Sequence, residues 1–209
     1  MPATLPEQLT IEKTPSYFVT RGVAERVLNM SRDHMSRDIR LLVVVRDPVI
    51  RALSDYAQSA SKQPDKASFE SLAIATRGNS SWVNAAWSPI RLGMYARYVR
   101  PWLDRFIPGR LLFVHGERLV SDPAGEMALV QSFLGLRPFI NSRNFYFNAT
   151  KGFPCLRRRP SSSTSHCLGQ SKGRRHPSVD VQVLQRLRQF YRPFNALFYK
   201  ITGINFGWD

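Results

Sequence analysis

The sequence predicts an α/β fold in which helices flank both faces of a parallel sheet. Three observations carry this expectation. Leu41-Leu42-Val43-Val44-Val45 is a short apolar, β-branched run of the kind found in strands buried on both faces. Leu111-Leu112-Phe113-Val114-His115 is a second run of the same kind. Each is followed by an Asp-Pro pair, Asp47-Pro48 directly and Asp122-Pro123 after a short gap. Asp is a natural helix N-cap, and Pro suits the first helical position. Strand, helix, strand, helix in that order implies crossovers between parallel strands.

In chain order, Gln8–Pro15 reads as a short strand running into a turn, and Val19–Met30 as a brief helix. Met30-Ser31-Arg32-Asp33-His34 is repeated directly in Met35-Ser36-Arg37-Asp38-Ile39. This five-residue tandem duplication is expected to bulge as a surface loop, where inserted length costs little. After the first strand, Val49, Leu53, Tyr56, Ala57 and Ala60 fall on one apolar face of the helix that Pro48 opens. Ser61–Ser81 reads as polar and irregular around a short helical piece at Phe69–Leu72. Met94, Tyr95, Tyr98, Val99, Trp102 and Phe106 recur at helical spacing and are expected to be core. The helix opened by Pro123 runs to Leu134, with Gly135 as its C′ residue. A final helix carries Val181, Leu184, Leu187 and Tyr191 ahead of Pro193, and an aromatic tail follows.

The 209 residues suffice for one good core, and residues 1–209 read as a single domain. Thirty Lys and Arg against fifteen Asp and Glu leave a formal charge of +15. That balance implies a polyanionic partner: nucleic acid, an anionic membrane or an acidic polysaccharide. Aromatics confined to helical core stripes, without a recognisable nucleic-acid motif, argue against the first. No run of apolar residues is long enough to span a membrane, and the first residues show no signal-peptide pattern.

Residues 151–177 break the α/β pattern with Arg157-Arg158-Arg159, a Ser/Thr run, a Lys/Arg cluster and both cysteines. Cys155 and Cys167 lack the companions of a zinc site and point to one disulfide, which would make this basic loop a stapled lid. Three glycosylation sequons begin at Asn29, Asn79 and Asn148 and point with the disulfide to the secretory pathway. Arg46 falls at the carboxyl end of a predicted strand, where open α/β sheets bind ligands. Ser54, two turns into the following helix, is placed to join Arg46 on one anion, against the plainer reading of a surface Arg and a helix Ser. His34, His115, His166 and His176 show neither triad nor metal spacing, and the sequence gives them no chemistry.

Several segments together carry a resemblance that runs nearly end to end. They are Glu12-Lys13-Thr14-Pro15-Ser16-Tyr17-Phe18, the Val-Val-Val-Arg-Asp-Pro run with Ser54, Phe145-Tyr146-Phe147-Asn148 and Lys151-Gly152-Phe153-Pro154-Cys155. With them stand Lys172-Gly173-Arg174, Phe190-Tyr191-Arg192-Pro193-Phe194-Asn195 and Phe206-Gly207-Trp208-Asp209. The chain thereby resembles the heparan sulfate glucosamine 3-O-sulfotransferases. The resemblance implies a P-loop-like α/β fold in the Golgi lumen. The implied reaction moves a sulfuryl group from 3′-phosphoadenosine-5′-phosphosulfate to the 3-hydroxyl of glucosamine in heparan sulfate, with no metal required.

By motif, the resemblance makes Arg46 and Ser54 the holders of the donor's 3′-phosphate. Ser171, Lys172, Gly173, Arg174 and Arg175 become the segment that wraps the donor nucleotide. Lys13, with Thr14, Pro15 and Ser16, is placed near the transferring sulfuryl group and acceptor, and Gln58 and Trp87 on the acceptor side. Family members also carry an upstream Gly-rich, Lys-containing loop and, after it, a Glu regarded as the catalytic base. Neither motif is found in these 209 residues. The expectation is therefore a partial domain lacking its N-terminal strand-loop-helix unit, with a gap in the sheet beside Leu41–Val45. A full-length form would be a type II membrane protein, and the chain alone would transfer little sulfate. The competing expectation is a catalytically inactive heparan sulfate- or heparin-binding protein.

Overall fold

The computed structural model describes residues 5, 8–32, 39–63, 65–157, 165–169 and 174–208. Residues 8–14 form no strand, because a strand needs a ladder partner and the described residues offer none. The chain turns at Thr14-Pro15 into a 3-10 turn, Tyr17–Val19. Gly22 at φ 77° breaks the predicted Val19–Met30 helix at its start, so α1 is Val23–Arg32. The first copy of the duplication begins in the last turn of α1, and most of the remainder lies outside the described residues.

β1 (Leu41–Val45) and α2 (Pro48–Ala60) follow as expected. Asp47 caps α2, its Oδ1 accepting from the amides of Val49 at 2.7 Å and Ile50 at 3.1 Å. The polar stretch after α2 is less irregular than predicted. α3 (Phe69–Ala73) leads straight into an antiparallel hairpin of β2 (Ile74–Arg77) and β3 (Ser80–Val83). Only Gly78 and Asn79 connect the two strands, with Gly78 at φ 57°. A two-residue Gly-Asn loop is a hairpin signal in its own right.

The long aromatic stripe is two helices, α4 (Ser88–Arg91) and α5 (Ala96–Leu103), rather than one. Gly93 lies between them, so close to α2 that an added Cβ would sit 2.8 Å from the Tyr191 hydroxyl and 2.9 Å from the Pro48 side chain. Of the stripe, Met94, Tyr95, Val99, Trp102 and Phe106 are buried, and Tyr98 is half-buried.

β4 (Leu111–His115) pairs with β1 in parallel, Leu41 opposite Leu111 through Val45 opposite His115. The short α6 (Arg118–Ser121) and α7 (Pro123–Phe133) follow, and Gly135 at φ 70° ends the latter. A three-stranded antiparallel sheet comes next, in the order β5 (Phe145–Asn148), β6 (Phe153–Arg157), β7 (Ser165–His166). Cys155 in β6 is disulfide-bonded to Cys167 just past β7, with their Cα atoms 4.8 Å apart. The staple thus ties two paired strands.

α8 (Val181–Thr202) runs through Pro193 instead of stopping before it. Proline costs that helix one backbone hydrogen bond, but Tyr191 on one side and Asn195 and Phe198 on the other are all buried. Packing on both flanks outweighs the local penalty.

Three clusters hold these elements together, and one of them, Val23, Ala24, Trp102 and Phe106, joins α1 to α5 and the turn after it. Val49, Leu53, Tyr56, Phe69, Ile90, Met94, Leu187 and Tyr191 join α2, α3, α4 and α8. Val45, Tyr95, Val99, Phe198, Phe206 and Trp208 join β1, α5, α8 and the aromatic tail. The opposite face of β1 differs. Leu42 is 39% exposed and Val44 62%, and β4 is the single neighbour of β1 among the described residues.

Candidate anion-binding site

The site lies where β1 and β4 end side by side. The backbone fixes it first. Gly116, just past β4, donates its amide to the Val45 carbonyl at 2.7 Å. A Cβ on Gly116 would stand 2.8 Å from that same oxygen, so the close approach requires glycine. The Tyr95 hydroxyl donates to the Arg46 carbonyl at 2.8 Å, and burial pushes that phenol up to about 12 despite the nearby Arg51 guanidinium. The Asp47 amide donates to Glu117 Oε1 at 3.0 Å.

Side chains then converge on the same point. Arg46 donates from Nη1 to Ser54 Oγ at 3.3 Å, and its Nε stands 3.4 Å from Glu117 Oε1. Buried Arg46 Nε makes no hydrogen bond. Arg46 and Glu117 are both over a third exposed, so their ion pair in itself adds little stability. Ser54 is also 2.8 Å from His176 Nε2, which arrives from the segment beyond the disulfide. Burial, and secondarily the Arg46 guanidinium, hold the His176 pKa below its ordinary 6.5. Behind them, His115 Nδ1 lies 3.1 Å from Glu117 Oε2 and its Nε2 lies 3.2 Å from the Phe206 carbonyl. Buried Glu126 accepts from the His115 amide at 3.1 Å and pairs with Arg118 at 3.0 Å, anchoring α7 to β4.

The structure thus brings Arg46 and Ser54 together, as their positions in the sequence implied. Gln58 is exposed four residues beyond Ser54 on α2, hence on the same side of the helix. Arg174 is half-buried and Arg175 exposed, immediately before His176. Ser171, Lys172 and Gly173 lie outside the described residues. Lys13, Pro15 and Ser16 are exposed, and the Thr14 hydroxyl donates to Glu12 at 2.6 Å. Among the described residues Lys13 has no hydrogen-bond or ion-pair partner. Trp87 is half-buried, edge-on to Phe69 at 5.5 Å and to Tyr56 at 6.3 Å.

Sequence reasoning missed two members of the cluster. Glu117 was legible in principle, since it follows the carboxyl end of β4 just as Arg46 follows β1. His176 had no such signal, because its contact with Ser54 spans 122 residues. Of the three sequon asparagines, Asn79 stands exposed at a hairpin tip and Asn29 exposed on α1. Asn148 is engaged, accepting from the Lys151 amide at 3.0 Å and donating toward Cys167 Sγ at 3.6 Å. Among the described residues there is no cluster of metal-ligating side chains and no helix long and apolar enough to cross a membrane.

The Arg46 guanidinium, the Ser54 hydroxyl and the His176 imidazole meet at one point, and these are donor types that suit a tetrahedral oxyanion. Heparan sulfate glucosamine 3-O-sulfotransferase 3B1 of Mus musculus is 55% identical over all 209 residues, and form 3A1 of the same species is equally similar. Form 6 of Homo sapiens is 53% identical over 208 residues. The chain spans 52% of the length of the first two and 59% of the third. A sulfotransferase from Alicyclobacillus acidocaldarius shares the fold at TM-score 0.60 and 18% identity, covering 89% of this chain and 61% of that one. The sulfotransferase domain family model matches residues 24–202, and the chain belongs to that family.

Proposed function

We propose that this chain forms much of a heparan sulfate glucosamine 3-O-sulfotransferase, with 3′-phosphoadenosine-5′-phosphosulfate as donor. The observation that carries the reading is the Arg46–Ser54 pair at the carboxyl end of β1, with Arg46 Nη1 on the serine hydroxyl and Nε turned to Glu117. These residues fit a 3′-phosphate: the guanidinium offers N–H donors in a planar fork and the serine a hydroxyl. Arg174 and Arg175, with Ser171, Lys172 and Gly173, would line the rest of the nucleotide.

Sulfuryl transfer builds negative charge on the oxygen bridging to the leaving phosphate, so fixed cations near it lower the barrier. Lys13, exposed and without a partner among the described residues, is available for that task beside the transferring sulfuryl group. Gln58 and Trp87 would border the saccharide. The +15 charge suits heparan sulfate, and the disulfide with the exposed Asn29 and Asn79 suits a Golgi-lumenal glycoprotein. In that form the membrane is reached through an N-terminal anchor.

Labelled sulfate from the donor, incubated with heparan sulfate and the chain joined to a relative's N-terminal unit, should appear on the 3-hydroxyl of glucosamine after enzymatic digestion. Far less should be transferred by residues 1–209 alone. Labelling only at another position would overturn the acceptor assignment. Salt-sensitive retention on heparin with no transfer would favour the binding-only reading.

A further inference from the structure

Ser54 is shared by Arg46 and His176, and its hydrogen-bond capacity is limited. A hydroxyl has one proton to give and two lone pairs to accept with. Arg46 Nη1 can only donate, so it takes one lone pair at 3.3 Å. His176 Nε2, at 2.8 Å, is either donor or acceptor, depending on which ring nitrogen carries the proton. If Nε2 carries it, His176 takes the second lone pair and the serine proton is left for a third partner. If Nδ1 carries it, Ser54 spends its proton on His176 and has none to offer an anion.

We infer that His176 is a positioning residue of the anion site, donating from Nε2 to Ser54 so that the serine proton points at the bound phosphate. This rests on the donor assignment proposed above, and deepens it. The inference stands on the shared geometry of three side chains from three segments: the end of β1, the middle of α2, and the stretch after the disulfide-bonded strands. Partial burial and the adjacent Arg46 shift the ring toward its neutral form, the form in which the tautomer matters. The same contact fastens the segment bearing Arg174 and Arg175 to α2, so the nucleotide-wrapping arginines and the phosphate site are held together through one hydrogen bond.

The test compares 3′-phosphoadenosine 5′-phosphate with adenosine 5′-monophosphate, which lacks the 3′-phosphate. Their affinity ratio isolates the anion site. Calorimetry on His176→Ala should show that ratio fall roughly three- to tenfold, the range of one hydrogen bond. His176→Gln, whose amide N–H can replace Nε2, should restore most of it. Combined with Ser54→Ala, His176→Ala should add nothing further, since it acts through the serine. Nitrogen NMR of the wild-type complex with 3′-phosphoadenosine 5′-phosphate should show the proton on Nε2. This last reading needs no folded variant.

An unchanged ratio in His176→Ala, or an Nδ1-protonated ring in the complex, overturns the inference. If Arg46→Ala and Ser54→Ala also leave the ratio unchanged, the donor assignment falls with it. If those two lower the ratio and His176→Ala does not, the inference alone fails.

Discussion

The proposed donor side and the proposed acceptor side of this molecule are built in different ways. At the carboxyl ends of β1 and β4, backbone and side chains are mutually fixed. Gly116 bonds Val45, Tyr95 bonds the Arg46 carbonyl, Asp47 caps α2, and Glu117 faces the Arg46 guanidinium. Lys13 and Gln58 are exposed, and Trp87 is held mainly by Tyr56 and Phe69. A small phosphate of fixed shape rewards a pre-organised receptor, because little ordering entropy is spent on binding it. The proposed acceptor, a long and flexible polysaccharide, calls instead for exposed groups that hold it without demanding one geometry.

The largest effect should come from breaking the packing behind the fixed side. Phe198 is 1% exposed, lies 5.6 Å from the Tyr95 ring and is stacked with Trp208 at 6.1 Å. Phe198→Ala should destabilise the fold by about 3–5 kcal/mol in chemical denaturation. It should also weaken 3′-phosphoadenosine 5′-phosphate binding, since Tyr95 carries the Arg46 backbone. Gly93→Ala should cost about 1–3 kcal/mol by forcing Tyr191 or Pro48 aside. A neutral result at either position would mean that the site does not depend on the helical core.

The contrast also bears on what the sequence disclosed. The strand-turn-helix around Arg46 was legible because its signals are local: a β-branched run, an Asp N-cap and a Pro at the first helical position. α8 was cut short on paper because Pro193 speaks locally, while the burial of Asn195 and Phe198 on its far side is a tertiary fact. The β2–β3 hairpin was passed over although Gly78-Asn79 marks it, since its strands are short and half polar. Glu117 could have been read from its place after the end of β4, whereas His176 reaches Ser54 only through the fold.

A smaller effect separates donor from polysaccharide. Arg174→Glu should weaken nucleotide binding more than it lowers the salt needed to elute the protein from heparin, because many cations share the second task. Equal losses would place Arg174 on the polysaccharide surface instead.

The smallest effects are in pH dependence. His176 has its pKa depressed by folding, so its neutral form is the one the fold favours. Stability should decline as pH falls below about 6.5, and His176→Gln should flatten that limb. Tyr95 has its pKa raised to about 12, so its contribution is complete below pH 10 and is lost as pH rises through 12. Thermal denaturation across both ranges checks the two signs.

The contrast between the two sides turns on Arg46 and Lys13, and one titration compares them directly. The affinity ratio of 3′-phosphoadenosine 5′-phosphate over adenosine 5′-monophosphate should fall roughly ten- to a hundredfold in Arg46→Ala, the range for hydrogen bonds to a charged group. It should stay at the wild-type value in Lys13→Ala, whose loss should appear in sulfate transfer alone. A ratio that survives Arg46→Ala, or collapses in Lys13→Ala, would contradict the placement of the 3′-phosphate at the end of β1.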